Sequence, residues 1–158
     1  MKLHNIMVPY DGSEHALGAL EYAKGLAALA DARVYVVHVM SSNTIDPADL
    51  DASGTLDGVP LGLVGREEYK GLVDAAAQRA KAKIEEKLAD VLSDMGDTAV
   101  VEVVADPSPT DAIVYYANHN DIDLIVMGRR GLGALRGMLG SVSYGVLHGT
   151  DIPVLTVK

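Results

Sequence analysis

The sequence predicts an α/β fold: a doubly wound, open, five-stranded parallel sheet with helices on both faces. Three observations carry that expectation. Short runs rich in Val and Ile alternate with longer stretches of helical period along the whole chain. Most of the runs are continuously aliphatic rather than apolar–polar alternations, the pattern of parallel strands covered on both faces. The alternation of strand and helix then fits right-handed crossovers between parallel neighbours. A chain of 158 residues suits one domain spanning 1–158, with no internal repeat.

Asn5–Pro9 (NIMVP) reads as the first strand, with Asp11-Gly12-Ser13 as turn and helix cap. Glu14–Ala30 carries Leu17, Leu20, Ala23, Ala27 and Leu29 at helical spacing. Arg33–Met40 (RVYVVHVM) is a second strand. The stretch 41–65, rich in Asp, Gly, Ser and Pro, has no clear period and reads as a long mobile loop or a partly ordered lid. Arg66–Met95 follows as a helix with one apolar stripe and Lys and Glu opposite. Thr98–Val104 is a third strand, Pro109–His119 a helix and Asp123–Met127 a fourth strand. Ser141–Gly149 is the last helix and Ile152–Lys158 the last strand.

Composition excludes several kinds of function. A net charge of -9 disfavours nucleic acid and anionic membrane as partners. The chain has no Phe and no Trp, so platforms for stacking bases of single strands are scarce. With no cysteine there are no disulfides, no thiolate chemistry and no cysteine-held metal, which fits a reducing cytoplasm. No window reaches the roughly 18 apolar residues of a membrane span, and Pro9, Asp11 and Glu14 interrupt any secretory core.

Against that acidic background, residues 128–141 concentrate positive charge and glycine: Arg129, Arg130 and Arg136 among Gly128, Gly131, Gly133, Gly137 and Gly140. Ligands of open α/β sheets bind beyond the carboxyl ends of the strands, where strand order reverses. Three segments should meet there: 9–13, 39–42 and 128–143. Gly140-Ser141-Val142-Ser143 opens a helix, whose first N–H groups lack partners and face the positive end of the dipole. That is an anion site. The glycines allow close backbone approach, Ser141 and Ser143 offer hydroxyls and the arginines offer charge. The residues therefore suggest a polyphosphate site, the alternative being a flexible connection with an ordinary Gly-Ser helix start. The P-loop pattern fails, since Ala134 stands where its lysine belongs, and the dinucleotide pattern fails at Arg136.

Asp11 could accept hydrogen bonds from ribose hydroxyls or an adenine amino group, or serve as a turn or cap carboxylate. His38 reads as a core or sheet-face residue. His4, His15, His119 and His148 show no metal spacing, and Asp46, Asp49, Asp51 and Asp57 lack the order of an EF-hand.

Together, IMVPYDGSEHALGALEYA, IDLIVMGRRGLG…GSVSYGVL and the closing IPVLTVK resemble the universal stress protein family over essentially the whole chain. The most specific part is the family's ATP-binding pattern, Gly-x2-Gly-x9-Gly-Ser/Thr. Gly128, Gly131 and Gly140-Ser141 match it, although the spacer Leu132 to Leu139 has eight residues rather than nine. The resemblance implies ATP as ligand, with Pro9, Tyr10 and Asp11 at the nucleoside and Val39 offering backbone bonds to adenine. Met127 and Gly128 would lie near the ribose, and Arg130, Gly131, Gly140, Ser141, Val142 and Ser143 around the phosphates. It further implies strand order 3-2-1-4-5, a Mg²⁺ or Mn²⁺ ion held mainly by the phosphates, and a homodimer through Ile152–Lys158. The expected function is a cytoplasmic, ATP-binding regulatory module with an unidentified protein partner. The alternatives are a slow ATPase or phosphotransferase, and a dimeric interaction protein that uses no nucleotide.

Overall fold

The computed structural model describes residues 2–41, 51, 55, 60–132 and 139–158. Five strands form one parallel sheet in the order β3-β2-β1-β4-β5. In chain order the elements are β1 (Asn5–Pro9), α1 (Glu14–Ala30), β2 (Arg33–Met40), α2 (Arg66–Leu92), β3 (Ala99–Ala105), α3 (Pro109–His119), β4 (Leu124–Gly128), α4 (Ser141–Gly149) and β5 (Val154–Val157). The expected fold class and strand order both hold.

The aliphatic strands place side chains on both faces, and each face has its own core. On one, Ile6, Val8, Val34, Val36 and Val126 pack with Ala19, Leu20 and Ala23 of α1 and Leu88 of α2. On the other, Met7, Val37, Ile125 and Met127 pack with Ile113 and Ala117 of α3 and Val146 of α4. Two helices therefore cover each face, which is why alternation is missing from the strands.

Helix α1 begins where its cap lies: the Ser13 hydroxyl oxygen accepts from Ala16 N–H at 3.1 Å. It stops where Asp31 turns left-handed, at φ 54°.

Four expected boundaries shift. The second helix ends at Leu92 rather than Met95, because Gly96 takes φ +52° and a 3₁₀ turn over Gly96–Thr98 follows. That turn uses Thr98, so β3 runs Ala99–Ala105 rather than Thr98–Val104. Strand β4 runs Leu124–Gly128 rather than Asp123–Met127, its pairing with β1 beginning at Ile6 and Leu124. Strand β5 is shorter than Ile152–Lys158 because Thr150–Pro153 forms a turn, with Ile152 N–H donating to the Thr150 hydroxyl. Of the expected loop over 41–65, most lies outside the described residues. In its described part, Leu61–Leu63 forms a 3₁₀ turn, and Asp51 and Thr55 bond to one another.

Asp123 fastens the end of the sheet opposite the strands' carboxyl ends. Its Oδ2 accepts from His4 N–H at 2.7 Å and Asn5 N–H at 3.0 Å. These bonds hold its pKa below the ordinary carboxylate value. Asp123→Ala should lower the unfolding free energy by about 2 kcal/mol at neutral pH, since two backbone donors lose a charged acceptor. A depressed folded pKa contributes stability that is whole above the unfolded carboxylate pKa and is lost as pH falls through the folded value. The gap between wild type and variant in urea denaturation should therefore close in acid.

Candidate functional site

Strand order reverses between β1 and β4, and there the carboxyl ends of the sheet open into a cavity of about 520 Å³. The residues that the family resemblance implicates all line it: Pro9, Tyr10, Asp11, Val39, Met127, Gly128, Arg130, Gly131, Gly140, Ser141, Val142 and Ser143, whereas Arg129 does not. Ala16, Val37, Pro109, Ile113, Leu132 and Leu139 also line it. Val37 and Ile113 carried no distinguishing signal, since apolar residues in a strand and on a helix face read as core. Arg136 and the interior of the spacer lie outside the described residues.

The cavity has two chemically different ends. One is walled by Val37, Val39, Ile113 and Met127, all belonging to or packed against the α3/α4-side core. The other is made by the first turn of α4 and the Gly-rich segment. Tyr144 N–H donates to Gly140 O at 2.8 Å as the first bond of the helix. The N–H groups of Ser141, Val142 and Ser143 donate to no described residue, and Gly140 supplies no side-chain cap. Nearby, Arg130 Nε is a buried donor with no partner among the described residues. Unpaired backbone donors, a helix dipole and a guanidinium make this end receptive to anions.

The Gly-rich segment leaves and rejoins the fold through one neck. Arg129 N–H donates to Val157 O at 2.6 Å, and Gly140 N–H to Arg129 O at 2.9 Å. The Ser143 hydroxyl donates to Gly128 O at 2.9 Å, so its proton is used to hold α4 against β4 and only its lone pairs remain.

Each glycine of the pattern answers a different demand. A Cβ on Gly128 would lie 2.7 Å from His15 Cβ and 2.8 Å from the His15 carbonyl carbon, so this glycine lets α1 close onto β4. A Cβ on Gly131 would overlap the Asp11 carboxylate. A Cβ on Gly140 would meet Arg130 Cα at 3.4 Å, ordinary contact, but would stand in the gap between α4 and the Gly131 corner.

Asp11 is a bracket between two segments far apart in the chain. Its Oδ1 accepts from Ser13 N–H at 3.0 Å, the turn role, while Oδ2 accepts from Leu132 N–H at 3.1 Å. The carboxylate thus fixes the mouth of the Gly-rich segment to the turn after β1, a tie across 121 positions that no local pattern reveals. The other segment near the cavity, the end of β2, is held by Tyr10 N–H donating to Val37 O at 2.8 Å, and by His38 Nδ1 at 2.8 Å from Tyr10 O.

Among the described residues, no three His, Cys, Asp or Glu side chains gather as metal ligands. Among them also, no helix is long and apolar enough to cross a membrane.

Comparison with known proteins agrees with the fold. The chain is 32% identical over 154 residues to universal stress protein MJ0531 of Methanocaldococcus jannaschii, covering 97% of this chain and 81% of that protein. Universal stress protein MJ0577 of the same organism is 30% identical over 162 residues, covering 97% and 93% of the two chains. Its solved structure superposes with a TM-score of 0.71 at 28% identity, covering 100% of this chain and 97% of that one. A universal stress protein of Archaeoglobus fulgidus, solved in complex with dAMP, shares the fold with a TM-score of 0.55 at 23% identity, covering 100% of both chains. Residues 2–158 match the universal stress protein family, and the chain belongs to that family.

Proposed function

We propose that this protein binds ATP and acts as a homodimeric, nucleotide-dependent regulatory module of the stress response in the cytoplasm. The observation that supports this reading best is the two-ended cavity, apolar beside β2 and α3 and anion-receptive at the start of α4. A base suits the first end and a polyphosphate the second. Pro9, Tyr10, Asp11 and Val39 would hold the nucleoside, with Met127 and Gly128 beside the ribose. Gly131, Gly140, Ser141 and Val142 would present the backbone to the phosphates, and Arg130 would add charge. Ser143 would act by anchoring α4. The dAMP complex of the Archaeoglobus fulgidus protein is consistent with an adenine nucleotide in this fold.

A Mg²⁺ or Mn²⁺ ion fits as a companion of the nucleotide, its ligands coming mainly from phosphate oxygens. Asp11 is the only carboxylate among the cavity's described lining residues, and both its oxygens already accept backbone N–H groups. A general base is therefore hard to nominate, and binding is favoured over turnover. For the dimer, β5 is an edge of the sheet with Leu155 38% exposed, a surface a second copy could cover.

Calorimetric titration with ATP, ADP, AMP and GTP tests the reading. Saturable ATP binding with discrimination against GTP supports it, and absence of heat with no thermal shift overturns it. Asp11→Ala should weaken ATP binding by about 2 kcal/mol, the scale of a lost hydrogen bond to a charged acceptor. An unchanged dissociation constant would leave Asp11 with the turn alone.

A further inference from the structure

We propose that His38 is a positioning residue for the base: by holding the Tyr10 carbonyl it keeps Val39 N–H and C=O off the β1–β2 ladder and open to a purine. The inference rests on the nucleotide reading above and deepens it.

The argument begins with the ladder. Along a strand, the N–H and C=O of one residue point to the same neighbouring strand, and those of the next residue point to the other. Val37 O accepts from Tyr10 N–H, so Val37 and Val39 both face β1, whereas Met40 O accepts from Asp106 N–H beyond β3. The β1–β2 register pairs Pro9 with Val37. One more step of the same parallel pattern would put Val39 N–H on the Tyr10 carbonyl. That bond is not made. The Tyr10 carbonyl lies 2.8 Å from His38 Nδ1 instead. Among the described residues, nothing donates to Val39 C=O or accepts from Val39 N–H.

The imidazole reaches this carbonyl from behind. Val34 and Val36 belong to the α1/α2-side core and Val37 to the α3/α4-side core, so alternation places His38 on the α1/α2 face. The cavity lies on the other face, with Val37 and Val39 in its wall. A carbonyl can only accept, so Nδ1 carries the proton in this arrangement. His38 thus touches no ligand itself. It draws one acceptor aside and leaves an adjacent donor–acceptor pair on the cavity rim. Such a pair matches adenine, whose N1 accepts and whose N6 amino group donates, and it mismatches guanine, which presents the reverse order.

The test uses His38→Leu and His38→Asn in the full chain, since Asn can place a donor where Nδ1 stands. In ligand-free His38→Leu, the Tyr10 carbonyl should fall back onto Val39, and Val39 amide exchange measured by NMR should slow. Its affinity for adenosine should drop about tenfold, the scale of one or two lost hydrogen bonds, while inorganic tripolyphosphate binds as to wild type. His38→Asn should restore both readouts. Unchanged Val39 exchange together with wild-type adenosine affinity in His38→Leu overturns the proposal, as does equal loss of adenosine and tripolyphosphate, which marks general damage. Failure of the wild type to bind adenosine or ATP sinks the nucleotide reading itself, a result separable from any behaviour of the variants.

Discussion

Gly128→Ala is expected to destabilise the ligand-free protein by about 3 kcal/mol, at the upper end of what overpacking a well-filled interior costs. The new methyl would lie 2.7 Å from His15 Cβ, 2.8 Å from its carbonyl carbon and 2.9 Å from its oxygen. Two of those three atoms are backbone in the first turn of a capped helix, so no rotamer change relieves the overlap. Either α1 lifts from β4 or β4 shifts out of register with Val157, and both movements open the core that holds Ala16, Leu20 and Val126. Urea denaturation should show a lower midpoint at unchanged slope. A variant within about 0.5 kcal/mol of wild type would show that this glycine is not required by the helix.

Gly140→Val should produce the opposite pattern, an intact fold that has lost its ligand. Gly140 sits at φ -65° and ψ 151°, extended backbone open to any residue, and its first side-chain atom would meet only ordinary contacts. The branches of valine would fill the gap between Gly131 and the unpaired N–H groups of Ser141 and Val142. Two charge-assisted hydrogen bonds lost from a phosphate amount to about 3 kcal/mol or more, so ATP affinity should fall at least about a hundredfold. The melting temperature without nucleotide should stay near wild type, and the shift on adding ATP should vanish. A full ATP-induced shift in this variant would mean that the phosphates lie elsewhere. Together the two glycine variants separate folding from binding within a single sequence pattern.

The strands and helices were legible because their signals are local. Ser13 and Asp31 bracket α1, Pro109 opens α3 and Gly140-Ser141 opens α4, each by chemistry confined to a few neighbouring residues. Boundaries slipped where a turn claimed a residue of strand type, as at Thr98. The candidate site was legible around the start of α4 because glycine, serine and arginine are conspicuous in an acidic, aliphatic chain. Its apolar wall was not, since Val37 and Ile113 face a cavity with the same side chains that fill a core. Nor could spacing reveal that Asp11 reaches Leu132, or that His38 spans from one strand to the carbonyl just past the end of another. Such ties exist only once the crossovers have brought the segments together.

The bond from Arg129 N–H to Val157 O joins the outermost strand to the root of the Gly-rich segment. A contact at that margin that displaces Val157 would pull on Arg129, whose C=O in turn holds Gly140 N–H at the mouth of the pocket. Reciprocity then fixes the arithmetic: the factor by which such a contact tightens or loosens the small molecule is the factor by which the small molecule tightens or loosens the contact. A message from solute to surface would in this way need no moving domain, only a single shared peptide.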